Sequence, residues 1–597
     1  MNPSDKKFIV ALASAAAILS AAAAFYLRKR NGKKREKKEE EKKEEPAPVK
    51  PAPVPQDSGE VDFSNVNTVD DVFSMAYKYM AALQFEKAIK CYSKCIKMVG
   101  MKDKQKRKLM FNSRANAYLT MKNIDGAIGD FTECINLFPL DSKCYLNRAE
   151  AYMKKEQEEK ALHDYTMYTL LEADFTKIPD SIHDAMMNIQ KSIGFKLAAE
   201  EVQRRKKDPS YVKPFPPKSH FKTFFGYFVS EKDNEYNVHN WSLVELTEKI
   251  NSFSPDADTQ YSLGDLHLMR GGMLKAAGCY KEAFNDFKSA CDEANQCHDM
   301  FDAKLECATF YTLLGENEKA DALFKDLLDN GSQMSPNPNW INFYAKYSTS
   351  LVSSDQKAAM ELASKAVELY PNDPDVHLAR GSVAYMCHNH EEAIKELKAS
   401  IAIHPSTCAY MYLTMCYGES NTDEAIPMIK KAVELDPKNA EILNAYGDLM
   451  MMRGSYLAAK GKYEEAVEAA PNVAVSYVNL ASLVLRVSKN TQEAVALLHK
   501  AIQKDACCIQ AYVLLIQVYT LMNKEKDIEE VIKKGLACAV DFDDIAEVLG
   551  YKYVIEESTK CNALVKQLRE ESKQLREESK QLREESKQLR EESKQSI

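Results

Sequence analysis

Glycine and proline are scarce in this chain, at 20 and 21 of 597 residues. Strands need those residues at their turns, so the scarcity favours helices. Short motifs of common chemistry are missing too. There is no phosphate-cradling glycine loop, no nucleophile elbow and no His-Glu-x-x-His. A disulfide framework is also lacking: the 15 cysteines are odd in number and scattered. Several (Cys91, Cys134, Cys416) fall on apolar helix faces, which points to free, buried thiols in a reducing compartment. One Cys/His cluster stands out, Cys387, His388, His390 and His404. Cys387 to His390 reads as a turn between helices, whereas structural zinc wants a closed four-ligand shell. We therefore expect no metal, no cofactor and no catalytic residue. Nucleic acid is not an expected partner, because basic residues beyond the N-terminal block are balanced by Asp and Glu on the same helices.

What is present is repetition. The chain is too long for one ordinary core, so several domains or an array are expected. From Pro374 to Pro437 two copies of one unit follow each other. Gly381 and Tyr385 fall on one helix, Ala393, Leu397 and Ser400 on the next, and Pro405 ends the unit. Ala425, Ile429, Ala432 and Pro437 recur at nearly the same offsets. About 34 residues, two antiparallel helices and small residues at the crossing are the signature of a tetratricopeptide repeat. A bulky side chain at the crossing would wedge the helices apart.

The same pattern extends both ways. Ala88, Ala127 and Ala161 mark three earlier pairs, with Tyr92, Phe131 and Tyr165 one helical turn on. Ala283, Ala320, Ala359, Ala393, Ala425, Ala459 and Ala494 mark a later run, spaced 32 to 39 residues apart, with Ile528 in the alanine position of a degenerate last pair. The expected fold is all-α, a tetratricopeptide-repeat superhelical solenoid in two arrays: 69–171 with three repeats and 259–540 with about eight. Between them, 172–258 breaks the period with one longer helix and an aromatic, proline-rich stretch, a connector over the seam of the arrays. Residues 541–564 read as a closing helix. Residues 565–597 repeat KQLREES with one leucine per heptad (Leu568, Leu575, Leu582, Leu589). A coiled-coil seam needs two apolar positions, so a solvated helix is expected, with an oligomerisation helix as the alternative. The connector and the C-terminal segment are each too short for an ordinary catalytic domain, so the chain is not expected to be an enzyme.

The N-terminal end differs in kind. After a short segment, 1–7, Phe8 to Leu27 carries no charge. Twenty helical residues can span roughly 30 Å of hydrocarbon. Lys6 and Lys7 precede it, while Arg28, Lys29, Arg30, Lys33, Lys34 and Arg35 follow. This is the pattern of a transmembrane signal anchor with the body in the cytosol, with a cleaved secretory signal as the alternative. Residues 28–68, charged and then Pro-rich, form a solvated spacer.

Such solenoids bind peptides along their first helices. In the long array the groove-facing positions are Leu378, Tyr410, Asn444 and Asn479 at one level, and Ser382, Thr414 and Asp448 a turn further on. Asparagine amides can hold a peptide backbone whatever its sequence.

Anchor, spacer, three repeats, connector and long array together resemble the seventy-kilodalton import receptors of the outer-mitochondrial-membrane translocase. The stretch Phe221-Lys222-Thr223-Phe224-Phe225-Gly226-Tyr227-Phe228 is similar to that family's Ile-x-Ser-Tyr-Phe-x-Ser-Phe. The KQLREES tail is not part of the family pattern. The resemblance implies a single-pass outer-membrane protein facing the cytosol. It would receive mitochondrial precursors, especially carriers with internal signals, and work with other translocase subunits at the import pore. It also implies docking of Hsp70- and Hsp90-type chaperones by a carboxylate clamp on the first three repeats. Here the clamp is degenerate. Lys143 is kept, Asn147 stands where Arg is expected, Ser113 replaces Asn, and Phe73 and Tyr77 occupy the positions in repeat one. Arg114 and Arg148, one residue away, are candidates to supply charge. A co-chaperone or adaptor anchored in the endoplasmic reticulum or peroxisome is the alternative reading.

Overall fold

The computed structural model describes residues 61–63, 68–100, 103–172, 178–211, 213, 215, 241–254, 260–334, 339–352, 354–420, 422–539 and 542–595. The expected anchor, most of the spacer and the Phe221–Phe228 stretch lie outside the described residues. Those described hold 25 α-helices and no strand. None of these helices is long and apolar enough to cross a membrane.

The first array is three antiparallel pairs: α1 (Val69–Ala81) with α2 (Phe85–Val99), α3 (Lys104–Thr120) with α4 (Ile124–Leu137), and α5 (Ser142–Lys154) with α6 (Glu158–Leu171). A long helix, α7 (Asp180–Lys207), and a short one, α8 (Leu243–Asn251), follow. Eight further pairs come next. They are α9 (Leu263–Ala276) with α10 (Tyr280–Ala290), α11 (Met300–Leu313) with α12 (Asn317–Met334), α13 (Trp340–Leu351) with α14 (Gln356–Leu369), and α15 (Pro374–Met386) with α16 (His390–Ile403). Then come α17 (Thr407–Ser420) with α18 (Thr422–Leu435), α19 (Ala440–Met452) with α20 (Tyr456–Ala469), α21 (Ala474–Val487) with α22 (Thr491–Lys504), and α23 (Ile509–Leu521) with α24 (Glu525–Cys538). The chain closes on α25 (Phe542–Gln595), 54 residues long.

Local chemistry sets each pair. The turn between its helices often carries one left-handed residue: Leu83, Lys122 and Glu156 in the first array, His388, Lys489 and Asn523 in the second. Such a residue lets the chain reverse just past a helix end. His388 is therefore a turn residue, which accounts for the Cys/His cluster around it. The next helix commonly starts on a side-chain cap, as where Asn123 accepts from the Gly126 amide and Asn389 from the Glu392 amide.

Packing then follows from the crossing residues. All ten marker alanines are 0% exposed. At Gly381, across the seam from Ala393's helix, an added Cβ would lie 2.7 Å from Leu397 Cγ, so the helices meet at a distance only glycine permits. Tyr92, Phe131 and Tyr165 are buried behind their alanines.

The connector does more than span the seam. Helix α7 lies along α25, and α25 also packs on α6, α23 and α24. The first array's core accordingly includes Val554, Cys561 and Val565 of α25. Ala198 of α7 joins the core at the far end of the second array. The first array is thus held to the last repeat, not only to the next one. Arg205 of α7 is buried and donates to the Leu536 and Ala539 carbonyls at the end of α24. Beyond Leu568, which still packs partly on the first array's core, α25 continues into the heptad tail without a break. There Leu575 and Leu582 are both 65% exposed.

Candidate functional site

An open pocket of about 650 Å³ lies between α3 and α5 of the first array. Helix α3 contributes Gln105, Lys106, Lys108, Leu109 and Asn112, and helix α5 contributes Lys143, Cys144, Leu146 and Asn147. Tyr168 and Glu172 close one end.

Two of the expected clamp residues, Lys143 and Asn147, therefore share one groove. The Asn147 amide donates to Asn112 Oδ1 at 2.9 Å. Lys108 is paired with Asp141, and Lys106 reaches Asp70 at 3.3 Å. Lys143 is exposed and has no carboxylate partner among the described residues. An ammonium beside two amides is a donor set suited to a carboxylate. Ser113 is half-buried and bonds to Tyr92, away from those donors. Phe73 packs on Tyr92 with ring centroids 5.7 Å apart, and Tyr77 is exposed. In repeat one, Phe73 and Tyr77 thus place aromatic rings at the two positions where the resemblance implies a lysine and an asparagine.

Arg114 and Arg148 require a correction. Neither presents its charge to the groove. Arg114 grips Asp130 with Nε at 2.8 Å and Nη2 at 2.6 Å, and reaches Ser93 with its third nitrogen. Arg148 grips Asp164 at 2.7 and 2.8 Å and reaches Thr132. Each guanidinium is spent in the seam between its own helix pair and the pair before. Burial pushes the Asp130 and Asp164 carboxyls above the usual range, against the pull of their arginines. The second array repeats the device at Arg270, which grips Asp286 at 2.7 Å, and varies it at Arg380, which pairs with Glu392 at 2.6 Å and only approaches Glu396 at 3.5 Å. At Asp286 burial works upward, yet Arg270 and His267 hold the carboxyl below its ordinary value. In Arg114–Asp130, Arg148–Asp164 and Arg270–Asp286 the basic and acidic partners stand sixteen residues apart, a recurrence legible in the aligned repeats.

The positions read as the long groove are mostly inside the array. Leu378 is 2% exposed and packs with Ala393, Leu397 and Cys408. Ser382 is buried and donates to the Ala379 carbonyl, and Thr414 is buried and donates to the Tyr410 carbonyl. Asn444 is buried, donating to Ser476 Oγ at 2.9 Å, while Asn479 donates to Asn444 at 3.4 Å. Tyr410 is half-buried against the neighbouring core. Asp448 is the exposed member, and it accepts from the Tyr463 hydroxyl at 2.6 Å. The physical reason is crowding: first helices of successive pairs pack on each other, so one level of each faces its neighbour. Deeper in the second array, Lys275 and Lys346 converge on Glu306 at 3.0 and 3.4 Å, all three buried.

Residues 417–474 match the tetratricopeptide repeat family model. Along its length the chain is similar to the mitochondrial import receptor subunit TOM70 of Rattus norvegicus, 24% identical over 480 residues, 77% of this chain and 74% of that protein. The protein of the same name from Saccharomyces cerevisiae is 22% identical over 527 residues, 81% of this chain and 80% of the other. A solved structure, that of yeast Tom70, aligns with a TM-score of 0.47 at 17% identity, covering 84% of this chain and 99% of that one.

Proposed function

We propose that this chain is a membrane-anchored receptor for mitochondrial precursor proteins. It binds them in the cytosol and passes them to the import pore of the outer membrane. One observation carries the reading: mammalian and yeast proteins named as import receptor subunits align with it over 77% and 81% of its length. The relatives' name supplies the process. Carrier-type precursors are the expected cargo by the same resemblance. Two helix-pair arrays supply the means, since such solenoids hold peptides without chemistry of their own. In the first array, the unpaired Lys143 beside Asn147 and Asn112 supports docking of an acidic C-terminal tail, the kind cytosolic heat-shock chaperones carry. With only one clamp cation in the groove, that contact is weaker than a full clamp would make.

The test is crosslinking of a newly made carrier precursor to the cytosolic part of the chain. The reading expects adducts that a second carrier competes away. Absence of adducts, together with normal carrier import after depletion of the protein, overturns it. A fusion of the first 60 residues to a fluorescent reporter tests the anchor, with mitochondrial rather than reticular or peroxisomal fluorescence expected.

A further inference from the structure

We propose that His163, Glu557 and Cys561 form a zinc site that clamps the first array to the C-terminal helix. His163 lies on α6 and the other two on α25. Glu557 and Cys561 are one helical turn apart, so they share a face, and that face meets α6. The three ligand atoms all lie within 4.8 Å of one another. Cys561 Sγ is 3.5 Å from His163 Nδ1 and 3.8 Å from Glu557 Oε1. His163 Nδ1 and Glu557 Oε1 are 2.7 Å apart.

These separations are close to those of a zinc tetrahedron. Zinc bonds of about 2.3 Å to sulfur and about 2.0–2.2 Å to nitrogen and oxygen give ligand-to-ligand edges of roughly 3.3–3.6 Å. Both sulfur edges are already near that length. Only the nitrogen–oxygen edge has to open, by roughly 0.6 Å. Thiolate, imidazole and carboxylate together suit zinc, whereas magnesium and calcium prefer oxygen alone.

The surroundings orient the ligands. Lys560 Nζ holds the second oxygen of Glu557, Oε2, at 3.3 Å, which leaves Oε1 facing the histidine and the thiol. Cys561 is fully buried and Glu557 nearly so, while the His163 side chain is 34% exposed. The open corner is therefore on the histidine side, where water completes the shell. Binding forms one bond each to nitrogen, oxygen and sulfur, and the thiol proton leaves to solvent. No local sequence signal could have found this set, because His163 and Glu557 are 394 residues apart.

The test is cobalt titration of the full chain in detergent, after metal is stripped with a chelator. The expected result is one equivalent of tetrahedral cobalt with a thiolate charge-transfer band. Zinc should displace it, and the band should be lost in both Cys561→Ser and His163→Gln. His163→Gln is a partly exposed, near-isosteric change, so it keeps the test valid if the buried cysteine variant fails to fold. No band in the wild type, or a band that persists in His163→Gln, overturns the proposal.

Discussion

Gly194 of α7 and Gly550 of α25 lie against each other where the two long helices cross. A Cβ built on Gly194 would stand 2.3 Å from the Ala546 carbonyl oxygen, and one on Gly550 would stand 2.9 Å from that of Gln190. The backbones approach too closely there for any other residue. This crossing holds the first array to the end of the second. Gly194→Val should therefore force α7 off α25 and cost about 1–3 kcal/mol, the scale of overpacking. Glu200→Ala, exposed on the same helix, should stay within about 0.5 kcal/mol of wild type. Urea unfolding of both, with limited proteolysis to report separation of the arrays, checks the claim. Equal stability and equal cleavage would show that the crossing does not govern the docking.

The arginine grips of the first array lead to a second expectation. Asp164 is fully buried and Arg148 supplies both of its strong hydrogen bonds. Arg148→Ala leaves a buried carboxylate alone and should cost about 3–5 kcal/mol. Replacing both residues by leucine should recover much of that loss, since no buried charge then remains. A double-mutant cycle by chemical denaturation measures the coupling.

Strain at the turns offers a gain. Leu83 sits at φ 58° and is exposed. A non-glycine residue in that region costs about 1–2 kcal/mol. Leu83→Gly should raise the stability of the first array by about 0.5–1 kcal/mol after the entropy of an unfolded glycine is allowed for. Thermal unfolding of the two proteins tests the sign.

The proposed docking of an acidic C-terminal tail in the first array turns on Lys143. Lys143→Ala should weaken an acidic C-terminal peptide about 10-fold, as expected from losing one charge-assisted hydrogen bond of about 1.5 kcal/mol. Raising the salt concentration should weaken the wild type more than the variant. Isothermal titration at two ionic strengths measures both.

The helix pairs could be read from the sequence because their cause is local. A small residue is required at each crossing, and Ala88 through Ala494 are buried as that requirement demands. The inner surface could not be read the same way. Leu378, Ser382, Thr414 and Asn444 stand at the right offset on the first helices. Whether an offset faces the groove or the next repeat depends on how successive pairs rotate, and that rotation is summed over contacts between repeats. Arg114 and Arg148 show the same limit from another side. Their charge is plain in the sequence, but their partners lie sixteen residues on. The α7–α25 crossing is the extreme case, with Gly194 and Gly550 brought together from opposite ends of the second array.

The receptor reading is tested most directly by import into mitochondria whose copy of this protein has been depleted. The account predicts that uptake of a carrier precursor slows severalfold and is restored by adding back the wild-type chain. A precursor with a cleavable presequence should be affected less. Carrier uptake at the normal rate in the depleted organelles would contradict it.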